Sequence, residues 1–162
     1  GRSEVRETAS FSLAALGPKS APAPKAAQGR PLTKVEQARF EAGKEVYEMT
    51  CIACHQPHGL GQEGLAPPLA GSEWVQFSPQ RLARIVLQGM RGPIKVKGQT
   101  HEIDMPPLGV LDDDQIAAVL TFIRRQWGHG FDPVEPEAVR TVREQTEKRE
   151  AAWTEEELMK VP

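Results

Sequence analysis

A chain of 162 residues with a net charge of −2 holds one ordinary domain with flanking segments rather than two full domains. Hydrophobic residues make up 39% and charged residues 26%, which suits a folded core with polar appendages, and the charge balance excludes bulk attraction to nucleic acid or an anionic membrane. No apolar run reaches the length of a transmembrane segment, residues 1–20 lack the apolar stretch of a secretory leader, and a start at Gly1 fits a processed product or an excised piece.

Residues 1–17 read as an amphipathic helix, with Ser3 as N-cap, Val5, Ala9, Leu13 and Leu16 on one side, and a stop at Gly17-Pro18. Two of its stretches, Val5-Arg-Glu-Thr-Ala9 and Leu13-Ala-Ala-Leu-Gly17, resemble one helix of an alpha-solenoid repeat, as a remnant of a preceding module would. Residues 18–32 form a Pro/Ala-rich linker that favours extended backbone.

The domain proper spans 33–128. Thr33 and Glu36 make a capping-box pattern that opens a helix to about Met49, with Phe40, Gly43 and Tyr47 on one face and Cys51 a turn further on. Ser78-Pro79 signals a second helix that closes at Gly89. Asp112 and Gln115 open a third, whose stripe is Ile116, Val119, Leu120, Ile123 and Trp127. The Gly/Pro-rich stretches 56–72 and 91–111 read as loops, with enough alternation over 94–103 for a small hairpin.

Residues 129–162 form a charged helical extension: a helix over roughly 136–152, then a short capped turn from Trp153 to Glu157. Its net charge is −4, against +3 for residues 1–33 and −1 for 34–128, which reads as a solvated face. Trp153 is the residue that would anchor it if the tail wraps the domain.

The only two cysteines stand in Cys51-Ile-Ala-Cys54-His55. A disulfide across this spacing would close too short a loop to constrain the unfolded chain. A structural zinc site needs four ligands, and no second paired motif accompanies the first; a dithiol redox centre belongs in a beta-alpha-beta setting that this helical chain lacks. On a helical turn the two thiols lie at i, i+3 with His55 on the same side, which suits two thioether bonds to one macrocycle and an imidazole rising to iron. Met105, in a proline-stiffened Ile-Asp-Met-Pro-Pro segment, is the expected sixth ligand. Met90, which also reads as core filler, His101, which also reads as a solvent-facing loop residue, and an open position remain alternatives, whereas Met49 is expected in the helix packing.

From Thr33 to Gly128 the chain resembles a class I mono-haem cytochrome c. The resemblance rests on Gly43, Tyr47 and Cys51 at four-residue steps, on Ala66-Pro-Pro-Leu-Ala-Gly71 where the family has Gly-Pro-x-Leu-x-Gly, on Met105-Pro106, and on Val119 and Phe122 in the last helix. It implies an all-α class I fold of about three core helices around one covalently bound haem c, with helical extensions at both ends. By the same similarity Cys51 and Cys54 attach the haem, His55 and Met105 hold its iron, and the Pro67 carbonyl orients His55. More narrowly, Pro67–Val75, Arg91-Gly-Pro-Ile94 and Trp127-Gly128 resemble cytochrome domains attached to, or paired with, bacterial periplasmic dehydrogenases.

That likeness implies one-electron relay without substrate chemistry, in an exported bacterial protein. The redox donor and acceptor would include a dehydrogenase module in the same polypeptide or complex, docking transiently at the exposed haem edge. Tyr47, Trp74 and Trp127 are expected in core packing rather than on the haem. The competing reading is a haem-based gas sensor or small peroxidase, which requires an open or displaceable sixth position. A third makes the haem a folding staple in a structural terminus.

Overall fold

The computed structural model describes residues 29–162; the helix expected over 1–17 and most of the linker lie outside them. Helix α1, Lys34–Thr50, starts at the expected capping box: the Thr33 hydroxyl accepts from the Glu36 amide and the Glu36 carboxylate accepts from the Thr33 amide. Cys51 ends α1 and begins the one-turn helix α2, Ile52–His55. A short helix α3, Glu73–Gln76, which the loop-like composition around it conceals, precedes α4, Pro79–Gln88. Pro79 starts α4 as read, yet the Ser78 hydroxyl does not cap it and donates instead to the Pro162 carbonyl at 2.6 Å.

Where a loop with a small hairpin was expected, two seven-residue strands form. β1, Met90–Val96, pairs antiparallel with β2, Gln99–Met105, through the two-residue turn Lys97-Gly98. Met105 therefore ends a strand, opposite Met90 in the register. The fold stays mostly helical. Helix α5, Asp113–Arg125, opens on the Asp112–Gln115 capping box and buries Ile116, Val119, Leu120 and Ile123.

The tail is no free solvated face. Helix α6, Pro136–Gln145, stops short of the expected 152 and buries Val139 and Val142 against α4 and α5. Trp153 then forms a parallel bridge to Met90, with the Arg91 amide donating to the Trp153 carbonyl at 2.8 Å and the Trp153 amide to the Gly89 carbonyl at 3.0 Å. Helix α7, Glu155–Met159, is capped by Thr154 as read and buries Leu158 under the hairpin.

Helices α1 and α5 cross at Gly43. A methyl group there would collide with the Ala118 carbonyl oxygen, so the missing side chain sets the separation of the two backbones. Phe40 and Tyr47, on either side of Gly43, each lie 5.2 Å from the Phe122 ring, within the range of favourable aromatic contact. Met49, expected in this packing, is 73% exposed. It sits off the stripe that Phe40, Gly43 and Tyr47 define. The G43A variant should lose about 1–3 kcal/mol of stability by overpacking, read from guanidinium unfolding of the holoprotein, and an unchanged midpoint would contradict the crossing.

The end of the expected linker already packs on the domain. Arg30 forms a bidentate pair with Glu36, and its carbonyl accepts from Arg125. The Arg30 guanidinium, with the Thr33 amide behind it, holds the Glu36 carboxyl down at about 2 from an ordinary 4.5. A depressed carboxyl contributes stability that is full above pH 4.5 and is lost as pH falls through about 2. The gap in melting temperature between wild type and E36Q should accordingly be widest above pH 4.5 and close as the pH approaches 2.

Candidate cofactor site

The two cysteines are free thiols, both half-buried. The Cys54 and His55 amides donate to the Cys51 carbonyl at 3.2 and 2.9 Å, so one tight turn carries all three side chains. Burial pushes the Cys51 thiol up from its ordinary value, which keeps it protonated rather than a reactive thiolate. Burial likewise lowers His55, partly opposed by its bond to Pro67, and favours the neutral imidazole. The His55 Nδ1–H donates to the Pro67 carbonyl at 3.2 Å. With Nδ1 so engaged, Nε2 keeps its lone pair for a metal.

Pro67 is held by the loop that carries it. The Gly59 carbonyl accepts from the Leu69 and Ala70 amides at 2.7 and 2.9 Å, closing the loop on itself. Gly59 has φ 67° and lies against the Trp127 indole, whose N–H donates to the Pro57 carbonyl at 3.3 Å. Tyr47 donates from its hydroxyl to the Gln56 carbonyl at 2.7 Å, and its ring meets Trp127 edge-on at 5.5 Å. Tyr47 and Trp127 thus serve the loop's packing, as read. Ala66, in place of the family's glycine, fits because its backbone is not left-handed and it exchanges both hydrogen bonds with Gln62.

Two supports went unread in the sequence. His129 accepts from the Gly71 amide at 2.9 Å through Nε2 and donates from Nδ1 to the Ile123 carbonyl at 2.8 Å, clamping the loop's far end to α5. Arg124, 6% exposed, donates to the Val75 and Phe77 carbonyls at 2.7 and 2.8 Å and to the Asp132 carbonyl at 2.8 Å. Gly71, Val75 and Phe77 lie 47 to 58 positions from the side chains they meet, so no local pattern signals these contacts.

These supports frame a cleft of about 760 Å³, its open mouth included. Cys51, His55 and Pro67 line it together with Met90 and Met105 from the paired strands. The rest of the lining is almost wholly apolar and draws on Val75, Leu82, Val86, Leu120, Ile123 and Ile94, while Trp74, expected only in the core, also faces it. Its indole N–H is already used, donating to the Lys95 carbonyl at 2.9 Å. His101 does not line this cleft but an adjoining cavity.

The donor set fits a haem and not a zinc ion. Among the described residues no three His, Cys, Asp or Glu side chains converge, whereas one free imidazole nitrogen and two thioethers face an apolar slot beside the free Cys51 thiol. Such a fold and site define a c-type haem protein. Residues 40–127 match the Cytochrome c family, and the chain belongs to it. It is similar to Cytochrome c-552 of Thermus thermophilus, 37% identical over 110 residues that cover 62% of this chain and 83% of the relative. It is also similar to the Gluconate 2-dehydrogenase cytochrome c subunit of Pantoea cypripedii, 38% identical over 96 residues, 56% of this chain and 21% of the relative. The Fructose dehydrogenase cytochrome subunit of Gluconobacter japonicus is 32% identical over 109 residues, 62% of this chain and 22% of that subunit. The match thus spans only about a fifth of either subunit. Covalently bound haem c is the cofactor, and electron transfer by it is the function.

The loop geometry makes Gly59 a point of failure. An alanine there would adopt a left-handed backbone at roughly 1–2 kcal/mol and would also press on the Trp127 ring. G59A should therefore unfold at lower guanidinium concentration than wild type, and an equal midpoint would show that the loop has another anchor.

Proposed function

We propose that Cys51 and Cys54 form the thioether bonds to the haem, that His55 and Met105 are its axial ligands, and that the domain relays single electrons for a dehydrogenase. The observation that carries the reading is that His55 and Met105, fifty residues apart, line one apolar cleft with the Cys51 thiol. When bound, the haem supplies a one-electron couple between ferric and ferrous iron. The protein's residues do the rest. Pro67 fixes the tautomer of His55 and strengthens it as a donor. The β1–β2 pairing holds Met105 at a set depth, and a soft thioether raises the potential relative to a second imidazole. The apolar lining excludes water and favours the less charged ferrous state.

The dehydrogenase as partner is supported by the likeness to two dehydrogenase cytochrome subunits. No described helix is long and apolar enough to cross a membrane. Thioether attachment of haem supports a place outside the cytoplasmic membrane of a bacterium. The domain acts as a carrier, and catalysis lies in a separate module or partner.

Met90 faces the same cleft, so the ligand test compares both methionines. Ferric wild type and M90L should keep the weak far-red sulfur-to-iron band, and M105L should lose it and bind carbon monoxide when ferrous. Loss of the band in M90L instead would make Met90 the ligand. A wild-type ferrous spectrum that shifts under carbon monoxide would favour a sensor or peroxidase with a displaceable ligand.

A further inference from the structure

The hairpin face that bounds the cleft continues past it. Alternation along β2 puts His101, Ile103 and Met105 on one side, opposite Ile94, Gly92 and Met90 of β1. Ile103 and Met105 face the apolar cleft, and His101 lies two steps further out, about 13 Å along the strand from Met105. There it lines a second cavity of about 1080 Å³, mouth included, between the hairpin and the loop from Leu60 to Ala66. Pro68 and Ile103 line both cavities, so the two are contiguous. The inner one is apolar; the outer one is edged by Gln62, Gln99 and Thr100.

His101 Nε2 is shielded from solvent and has no hydrogen-bond partner, the only side-chain nitrogen or oxygen among the described residues in that condition. Leaving a buried ring nitrogen unpaired is costly, and such an atom calls for a partner that the described residues do not supply. Glu63 and Glu102 border the same cavity, yet neither accepts from it. Haem is apolar over most of its rim and ends in two carboxylates on one edge. That edge matches the polar cavity, as the apolar remainder matches the cleft. The Glu63 and Glu102 carboxylates make an anion there more costly, and an imidazole N–H aimed at it offsets that cost.

We propose that His101 Nε2–H donates to a haem carboxylate and so positions the haem edge against the hairpin. The proposal rests on the haem seat argued above, though not on which methionine binds iron. His101 is then neither an axial ligand nor a solvent-facing loop residue.

The test is resonance Raman spectroscopy of the holoprotein in wild type, H101A and H101Q. The low-frequency band from bending of the haem carboxylate side chains should shift in H101A and stay near its wild-type position in H101Q, whose amide N–H replaces the imidazole donor. The far-red sulfur-to-iron band should not move in either variant. A carboxylate band unchanged in H101A would overturn the proposal. So would loss of the far-red band in H101A, because His101 would then act on the iron ligand rather than the haem edge. Should neither variant fold, proton exchange at the His101 ring in the wild-type holoprotein decides. A slowly exchanging Nε2–H is expected, and one exchanging as freely as that of an exposed imidazole would overturn the assignment. A failed far-red band in wild type would count against the Met105 reading alone.

Discussion

The contact on which the site depends is the approach of α1 to α5 at Gly43, where any side chain would strike the Ala118 carbonyl. It lets Tyr47 reach both Phe122 and Trp127. Tyr47 then holds the Gln56 carbonyl just behind His55, and Trp127 holds Gly59 and the Pro57 carbonyl. The Gly59 carbonyl accepts hydrogen bonds from the Leu69 and Ala70 amides, which fixes the stretch that presents the Pro67 carbonyl to His55. Each link is a single short contact, so a shift at the crossing is passed down the series to the imidazole. The helix packing is thus a positioning device for one nitrogen atom.

The methionine side is secured differently. Met105 is held by its pairing with β1, and β1 and the turn are in their turn braced by the tail and by α3. Trp153 adds a parallel bridge to Met90, Leu158 packs under the strands, and the Lys95 amide donates to Glu155 at 2.8 Å. On the other side the Glu73 carboxylate accepts from the Lys97 amide at the turn, and Trp74 donates to the Lys95 carbonyl. Arg149 stacks 3.6 Å over the Trp153 ring and pairs with Glu157, which fastens α7 to the segment before it. A two-stranded sheet is marginal in water without such cover. Here β1 and the turn are braced at Met90, Lys95 and Lys97 by chain that is remote in sequence.

That difference explains what the sequence could disclose. Caps are local, so Thr33–Glu36, Asp112–Gln115 and Thr154–Glu157 announce their helices within four residues, and the Cys-x-x-Cys-His turn is equally self-contained. The hairpin was underread because Gly92 and Pro93 look like loop; in a two-stranded sheet every strand is an edge, where proline is tolerated. Ser78 carries a cap signal but spends its hydroxyl on the chain's last residue, a partner 84 positions away. His129 and Arg124 carry no local signal, and only the fold brings His129 to the Gly71 amide and Arg124 to the Val75 carbonyl. Cap signals survive in one dimension, whereas a clamp between distant segments leaves no pattern.

The two sides also divide the electrostatic work. The cleft is lined by an imidazole whose burial favours the neutral form and by thioethers, so the lining carries little charge to offset a positive charge added inside it. A site of that kind disfavours the ferric state and leaves the polar burden to the cavity beyond Ile103. There the strand alternation that turns Met105 to the cleft at one end brings His101 to the other, on the same face. One short hairpin therefore spans the transition from an apolar slot around the metal to a polar edge. Its register decides both, because a slip of one residue would turn Met105 and His101 outward together.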